Sequence, residues 1–288
     1  MTLPHLDRRA FLLGAAVLLA GTGRTFAAAP RRIVSAGSDI TETIVALAGI
    51  EVLQGVDTTS RAPAAVRALP SIGYLRQISV EGILSLKPDL LIANADLGPP
   101  AAVEQLRGTG LKVELIGADY SASGMAEKIR HVGAVLGAEA EAGTLAEKVS
   151  AAMASLARHL DGAANPPRLA FVRSLDGGRP IVAGKIRSVD AALALAGAQN
   201  AFPDFALFKP VSQEAFAASP PDFVIAGADA IAGAGGPAAF ATTLGLPAGR
   251  ADRIIAVEAT TLFAFGPSGA AAIEDLARRL HPERFATP

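Results

Sequence analysis

The apolar positions of this chain come in short runs, separated by turn residues and by helix-like stretches. RRIVSAG (31–37) predicts a strand ending in a small-residue turn. SDITETIVALAG (38–49) predicts a helix capped by Ser38 or Asp39 and closed by Gly49. Further strands are expected at 52–56, 89–94 and 112–117, with helices at 79–86 and 99–108 between them. Strands alternating with helices predict a mostly parallel sheet covered on both faces.

From Ala122 to Leu160 the pattern changes. This stretch has no strand candidate and no proline, and Leu145, Val149, Met153, Leu156 and Leu160 recur at helical spacing. A helix over 139–161 is about 34 Å long, enough to cross between two lobes. GAANPP (162–167) ends it, and a second strand–helix series opens with RLAFVRS (168–174). That series echoes the first. SVEGILSLKPDLLIA (79–93) and SQEAFAASPPDFVIA (212–226) align without a gap, with Ser79/Ser212, Glu81/Glu214, Pro88/Pro221, Asp89/Asp222, Ile92/Ile225 and Ala93/Ala226 identical. Two similarly built lobes joined by a long helix leave a cleft between them, where domain interfaces place small-molecule sites.

At 288 residues the chain has room for two domains of about 150. Apolar residues make up 51% and charged residues 18%, which sustains a core and excludes a disordered chain. Lys+Arg at 26 against Asp+Glu at 27 lacks the basic excess that phosphate neutralisation needs, so nucleic acid is not an expected partner. The absence of cysteine removes disulfides, thiolate metal sites and a cysteine nucleophile together. In DRRAFLLGAAVLLAGTGRTFAAA (7–29), Arg8 and Arg9 precede an uncharged run, Ala10 to Ala20, and small residues lead to Pro30. The run is shorter than the roughly 20 residues of a membrane span, so the segment reads as an export signal cleaved near Ala27–Ala29. Its arginine pair resembles that of a twin-arginine signal. No later segment is long and apolar enough to span a membrane. The expected organisation is a signal over 1–29, an N-terminal lobe over 30–121, a helical segment over 122–161 and a C-terminal lobe over 162–288.

Candidate chemistry is sparse. His5 leaves with the signal, and His131, His159 and His281 lack metal-ligand spacing, so they read as surface or packing residues. No G-x-S-x-G elbow occurs, and GPSG (266–269) reads as a helix start with Ser268 as cap. GAGGPA (233–238) matches G-x-G-x-x-A, with Glu258 20 residues beyond Ala238, the spacing of a dinucleotide fingerprint. Six residues separate its first glycine from the preceding strand, which argues instead for a glycine loop. SIGYLRQIS (71–79) is more informative. Residues i and i+2 of an extended stretch face one side, so Tyr74 and Arg76 would meet one ligand together. A phenol ionises near pH ~10, and a guanidinium beside it favours the phenolate, a hard ligand for Fe(III). The arginine alternatively pairs with a ligand carboxylate. The structural alternative is a tyrosine capping the sheet and a solvated arginine. Glu81 and Glu214 each lie two residues after a capping serine and stabilise a helix start. Their matching positions also make them a pair of acidic knobs on the two lobes, suited to arginines of a two-fold partner.

RRIVSAGSDITETIVALAG, SIGYLRQISVEGILSLKPDLLIA and FKPVSQEAFAASPPDFVIAG together resemble the periplasmic haem-binding proteins of bacterial haem ABC importers, within the vitamin B12 and siderophore binding class. The resemblance covers essentially the whole mature chain, and G-Y-L-R-Q is the element that points to haem. It implies an α/β fold of two Rossmann-like lobes with parallel-rich sheets, joined by a long helix and with limited hinge motion. The implied function is capture of ferric haem b between the lobes and delivery to an inner-membrane ABC permease dimer, by a binding protein rather than an enzyme. The haem would be received from an outer-membrane receptor. Tyr74 is implied as iron ligand, Arg76 as its electrostatic support, and Glu81 and Glu214 as docking residues for the permease. Some family members add a histidine from the C-terminal lobe or bind two stacked haems. Here residues 162–280 hold no histidine, a departure from those members. Arg173, Lys185, Arg187 and Lys209 are basic groups that this lobe offers to haem carboxylates or to the phenolate, and Arg173 and Lys209 are taken as site residues. The alternatives are the same fold holding a ferric siderophore or cobalamin, and a dinucleotide-dependent oxidoreductase resting on Gly233, Gly235, Ala238 and Glu258.

Overall fold

The computed structural model describes residues 32–218 and 220–286. The expected export signal and His5 lie outside the described residues. The first lobe runs β1 (Ile33–Ala36), α1 (Ser38–Ala48), β2 (Leu53–Val56), β3 (Gly73–Tyr74), β4 (Gln77–Ile78), α2 (Val80–Ser85), β5 (Leu90–Asn94), α3 (Pro100–Gly108) and β6 (Lys112–Ile116). Two helices follow, α4 (Ala122–Leu136) and α5 (Glu139–Leu160). The second lobe runs β7 (Arg168–Asp176), β8 (Arg179–Ala183), α6 (Arg187–Leu195), β9 (Gln199–Asn200), β10 (Phe208–Pro210), α7 (Gln213–Ala218), β11 (Phe223–Ala226), α8 (Ala228–Gly233), α9 (Pro237–Thr243), β12 (Ile254–Ala256), α10 (Ala259–Leu262) and α11 (Gly269–Leu280).

The first sheet is parallel in the order β2-β1-β5-β6. In the second, the order is β10-β8-β7-β11-β12, with β9 also beside β7. Its β7, β9, β11 and β12 are parallel, while β8 and β10 form an antiparallel edge. Side chains alternate across each strand, so a strand buried on both faces serves two cores. Ile33, Leu90 and Ile92 face one core of the first lobe, and Val34, Leu91 and Ala93 face the other. Leu169, Phe171 and Ile225 divide in the same way from Ala170, Val172 and Val224 in the second lobe.

The helical segment joins these cores. Met125, Ala126 and Ile129 of α4 pack into the second lobe, while Val132 and Leu136, one and two turns on, pack into the first. The 22-residue α5 is about 33 Å long. Ala138, just before it, packs against the first lobe, and Ala142, Val149, Met153 and Leu156 lie in the second.

The echo between the lobes has a structural basis. The backbone amide of Asp89 donates to the Arg32 carbonyl at 2.8 Å, and that of Asp222 donates to the Arg168 carbonyl at 2.8 Å. The Asp222 carboxylate also accepts from the Arg168 amide. Each Pro-Asp step therefore pins the start of one strand to its neighbour.

Three expectations change. The cap of α1 is Gly37, at φ +105°, and not Ser38 or Asp39, which lie buried inside the helix. A Cβ on Gly37 would stand 2.9 Å from the Asp39 carboxylate and 3.1 Å from Asn94 Cβ. The Gly37 amide donates to the Asp57 carboxylate at 2.9 Å, which fixes the turn into the helix from outside it. Ser268 does precede α11, but its backbone is helical and its hydroxyl makes no cap bond. The GAGGPA segment follows helix α8 rather than a strand, with Gly233 ending that helix. Gly235 and Gly236, at φ +93° and +98°, turn the chain into α9. A dinucleotide fingerprint needs its glycines directly after a strand, so Gly233, Gly235, Ala238 and Glu258 do not form one.

Candidate functional site

All four strands of the first sheet run parallel, so the segments leaving their carboxyl ends gather on one side, the usual location of ligands in open α/β sheets. Gly37 and Ser38 follow β1, Thr59 follows β2, Asp96 follows β5 and Tyr120 follows β6. These line a cleft of about 240 Å³ together with Ser188, Ala259, Thr260, Phe263 and Ala264 of the second lobe. A larger cavity of about 580 Å³ lies wholly on the second lobe, among residues 199–205 and 210–215. It includes none of the Tyr74 and Arg76 chemistry.

Tyr74 and Arg76 do meet, by a route different from strand alternation. β3 and β4 form a minimal antiparallel hairpin with Tyr74 paired to Gln77, so Leu75 and Arg76 occupy the turn. The hairpin seats on buried Ile72, Leu75 and Ile78, leaving Tyr74 45% exposed. Arg76 folds back across the turn, and its Nη1 donates to the Tyr74 hydroxyl at 3.0 Å. Its Nη2 pairs with the Asp96 carboxylate from the loop after β5. Partial burial works to lower the Arg76 pKa, but the bond to Tyr74 and the charge of Asp96 outweigh it, and the net shift is upward. Arg76 therefore stays a cation, oriented by a carboxylate on one side and directed at a phenol on the other.

Of the basic candidates of the second lobe, Arg173, Lys185 and Lys209 do not line the cleft, whereas Arg187 lies over the ring of the cleft-lining Tyr120. The Arg173 guanidinium stacks 4.7 Å from the Phe208 ring centroid, and Lys209 Nζ stands 5.4 Å from that of Phe205. Phe208 meets Phe171 at 5.9 Å, and Phe171 meets the cleft-lining Phe263 at 4.7 Å. An aromatic series thus leads from Arg173 to the cleft wall. Lys185, next to α6, is exposed.

Glu81 and Glu214 sit on equivalent short helices. The Ser79 hydroxyl accepts from the Gly82 amide at 3.0 Å, and that of Ser212 accepts from Ala215 at 3.1 Å. Both glutamates lie in the first turn and are exposed. Hydrogen bonds from its own backbone amide and from Ser212 hold the Glu214 carboxyl below the usual carboxylate range. Among the described residues, each histidine has a partner within the fold. His131 bonds Glu114 at 3.1 Å, His159 bonds the Ser155 carbonyl and stacks on Phe285, and His281 bonds the Gly197 carbonyl. Among the described residues no cluster of His, Cys, Asp and Glu is arranged to hold a metal ion.

Sequence reasoning missed two groups at the cleft floor. Asp96 orients Arg76 from 20 positions away, and a short polar loop after a strand carries no distinguishing signal. The second is a buried ion pair, Lys128 of α4 with Asp39 of α1, their side chains 2% and 3% exposed. Lys128 also points at the carbonyls of Ala264 and Phe265, each 3.4 Å away, and Glu42 accepts from the Ser268 amide at 2.7 Å. These contacts seat the segment 264–268 of the second lobe on α1 of the first. A lone lysine inside an amphipathic helix was the available sign.

Two lobes meeting over a cleft at the strand ends, with a helix pair bridging them, define a two-lobed binding protein. The chain belongs to the periplasmic binding protein family, whose pattern matches residues 33–261. It is similar to the periplasmic haem-binding protein BhuT, solved in complex with two haems, at 36% identity and a TM-score of 0.76, covering 88% of this chain and 98% of that one. It is similar to the periplasmic haem-binding protein RhuT from Roseiflexus sp. RS-1 at 34% identity and a TM-score of 0.78, covering 88% and 99%. A cobalamin-binding protein of Halobacterium salinarum is 29% identical over 217 residues, 73% of this chain and 57% of that protein. The chain spans 38% to 57% of the length of the curated relatives it matches. Among the described residues no helix is long and apolar enough to cross a membrane.

Proposed function

We propose that this chain is the exported substrate-binding protein of a haem ABC importer, holding ferric haem b in the inter-lobe cleft with the Tyr74 phenolate on the iron. The observation that carries this reading is the Arg76 guanidinium, fixed by Asp96 and bonded to the Tyr74 hydroxyl at the cleft edge. Tyrosine oxygen is a known axial ligand of haem iron, and Arg76 holds this one in place at the cleft edge. Haem-binding proteins at 34–36% identity over nearly their whole length support the choice of ligand. Residues 162–280 supply no histidine, tyrosine, cysteine or methionine, so the second lobe would cover the macrocycle with phenylalanines rather than ligate it. Arg173 and Lys209 would serve as cations at its outer edge. On this reading the signal over 1–29 sends the chain to the periplasm, haem arrives from an outer-membrane receptor, and Glu81 and Glu214 dock the inner-membrane permease.

Titrating the purified protein with hemin is expected to shift the Soret band, with a tyrosinate-to-iron charge-transfer signature. Tyr74→Phe is expected to abolish that signature and weaken binding by a factor of ten or more, on the order of 1.4 kcal/mol. An unchanged spectrum in Tyr74→Phe rejects the ligand assignment. The second reading is cobalamin, favoured by the curated relative of that function. A shift with cyanocobalamin and none with hemin would establish it instead.

A further inference from the structure

The cleft holds a second pair of groups that this reading leaves idle. Tyr120 precedes Ser121, the cap of α4, and lines the cleft. Its ring is held from the second lobe by Phe265, edge-on at 5.2 Å, and by Arg187, whose Cζ lies 5.7 Å from the ring centroid. Among the described residues the Tyr120 hydroxyl makes no hydrogen bond, and the Arg187 guanidinium has no hydrogen-bond or ion-pair partner. Arg187 is the first residue of α6, and its neighbour Ser188 lines the cleft. A cation at that end opposes the helix dipole, and Ile186 supplies no side-chain cap. A local rule broken with no polar partner to offset it, only the face of the Tyr120 ring, is a mark of function. Here it adds the guanidinium charge to the positive end of a helix at the cleft wall.

The groups facing Tyr120 sort its role. Burial first, then the charges of Asp96 and Asp39, raise its pKa, while Arg76 and Arg187 work the other way. Asp96 is already paired with Arg76, and Asp39 with Lys128. Tyr120 therefore stays a neutral phenol and a donor. We propose that Tyr120 and Arg187, one from each lobe, form a clamp for a carboxylate of the bound macrocycle. The clamp thereby selects haem, edged by carboxylates, over corrinoids, edged by carboxamides. A guanidinium matches a carboxylate in charge and donor geometry, and an amide or ester forfeits the charge.

This inference rests on the haem reading, and its test keeps the two apart. Hemin and hemin dimethyl ester are titrated into wild type, Tyr120→Phe, Arg187→Gln and Arg187→Lys, following the Soret band. Wild type is expected to prefer hemin over the ester by about tenfold or more, the value of a charge-assisted hydrogen bond. Arg187→Gln and Tyr120→Phe are expected to erase most of that preference while keeping the tyrosinate signature and the ester affinity. Arg187→Lys is expected to restore it in part. A tyrosinate spectrum with equal losses for hemin and ester, or with no loss for hemin, overturns the clamp alone. No Soret shift in the wild type overturns the haem reading and the clamp with it.

Discussion

At the level of single residues, the two tyrosines differ in their surroundings, Tyr74 exposed and Tyr120 half-buried. Tyr74 has a guanidinium on its hydroxyl, whereas Tyr120 faces carboxylates. Glu42 shows the same logic applied to stability. Burial is the main cause that lifts its pKa, the nearby charge of Asp39 adds to it, and the hydrogen bond from the Ser268 amide opposes both. A carboxyl whose folded pKa is raised binds its proton more tightly in the folded state. Its contribution is fully present below the unfolded pKa and is lost as pH rises through the folded value. Glu42→Gln keeps an acceptor for Ser268 and removes the charge. It is expected to be more stable than wild type at neutral pH, with the difference shrinking as pH falls to the carboxylate range. Urea unfolding at pH 4 and pH 7.5 measures this. A constant difference would show that ionisation of Glu42 is not the cause.

At the level of elements, the sequence was a good guide wherever one strand or helix carried its own punctuation. β5 and β6 lie within a residue of the expected runs, and the serine caps of α2 and α7 occur as expected. It failed where partners come from far away. The start of α1 is set by Asp57 and Lys128, 20 and 89 residues from the groups they hold, and no window around Ser38 contains them. The pairing of Tyr74 with Arg76 was legible, but its geometry depends on a hairpin turn of two residues. Lys128 also makes a prediction for α4. Lys128→Met leaves Asp39 buried and unpaired, which is expected to cost about 3–5 kcal/mol in urea unfolding. The double variant with Asp39→Asn is expected to recover much of that loss. If the single variant were as stable as wild type, the pair would have no structural weight.

At the level of the whole molecule, the duplicated helix–proline–strand unit places Glu81 and Glu214 at matching points of two lobes. If those carboxylates dock a two-fold permease, Glu81→Ala or Glu214→Ala is expected to lower haem uptake in cells several-fold. The hemin titration of the purified variants is expected to match wild type. Loss of hemin affinity in either would place that glutamate in the ligand site instead. The architecture was legible in the sequence because an internal echo and a long proline-free stretch are signals that survive without coordinates. The floor of the cleft was not, because segment 264–268 meets α1 only in the folded chain.

The divided allegiance of α4 has a mechanical result. Ile129 belongs to one core and Val132, three residues on, to the other, so there is no slack joint between the halves. Pulling the halves apart must flex a continuous, hydrogen-bonded rod, and a flexed rod springs back. The tie between the jaws is therefore a stiff strut rather than a loose tether, and the bonds from Lys128 and Glu42 to segment 264–268 brace it at the hinge side.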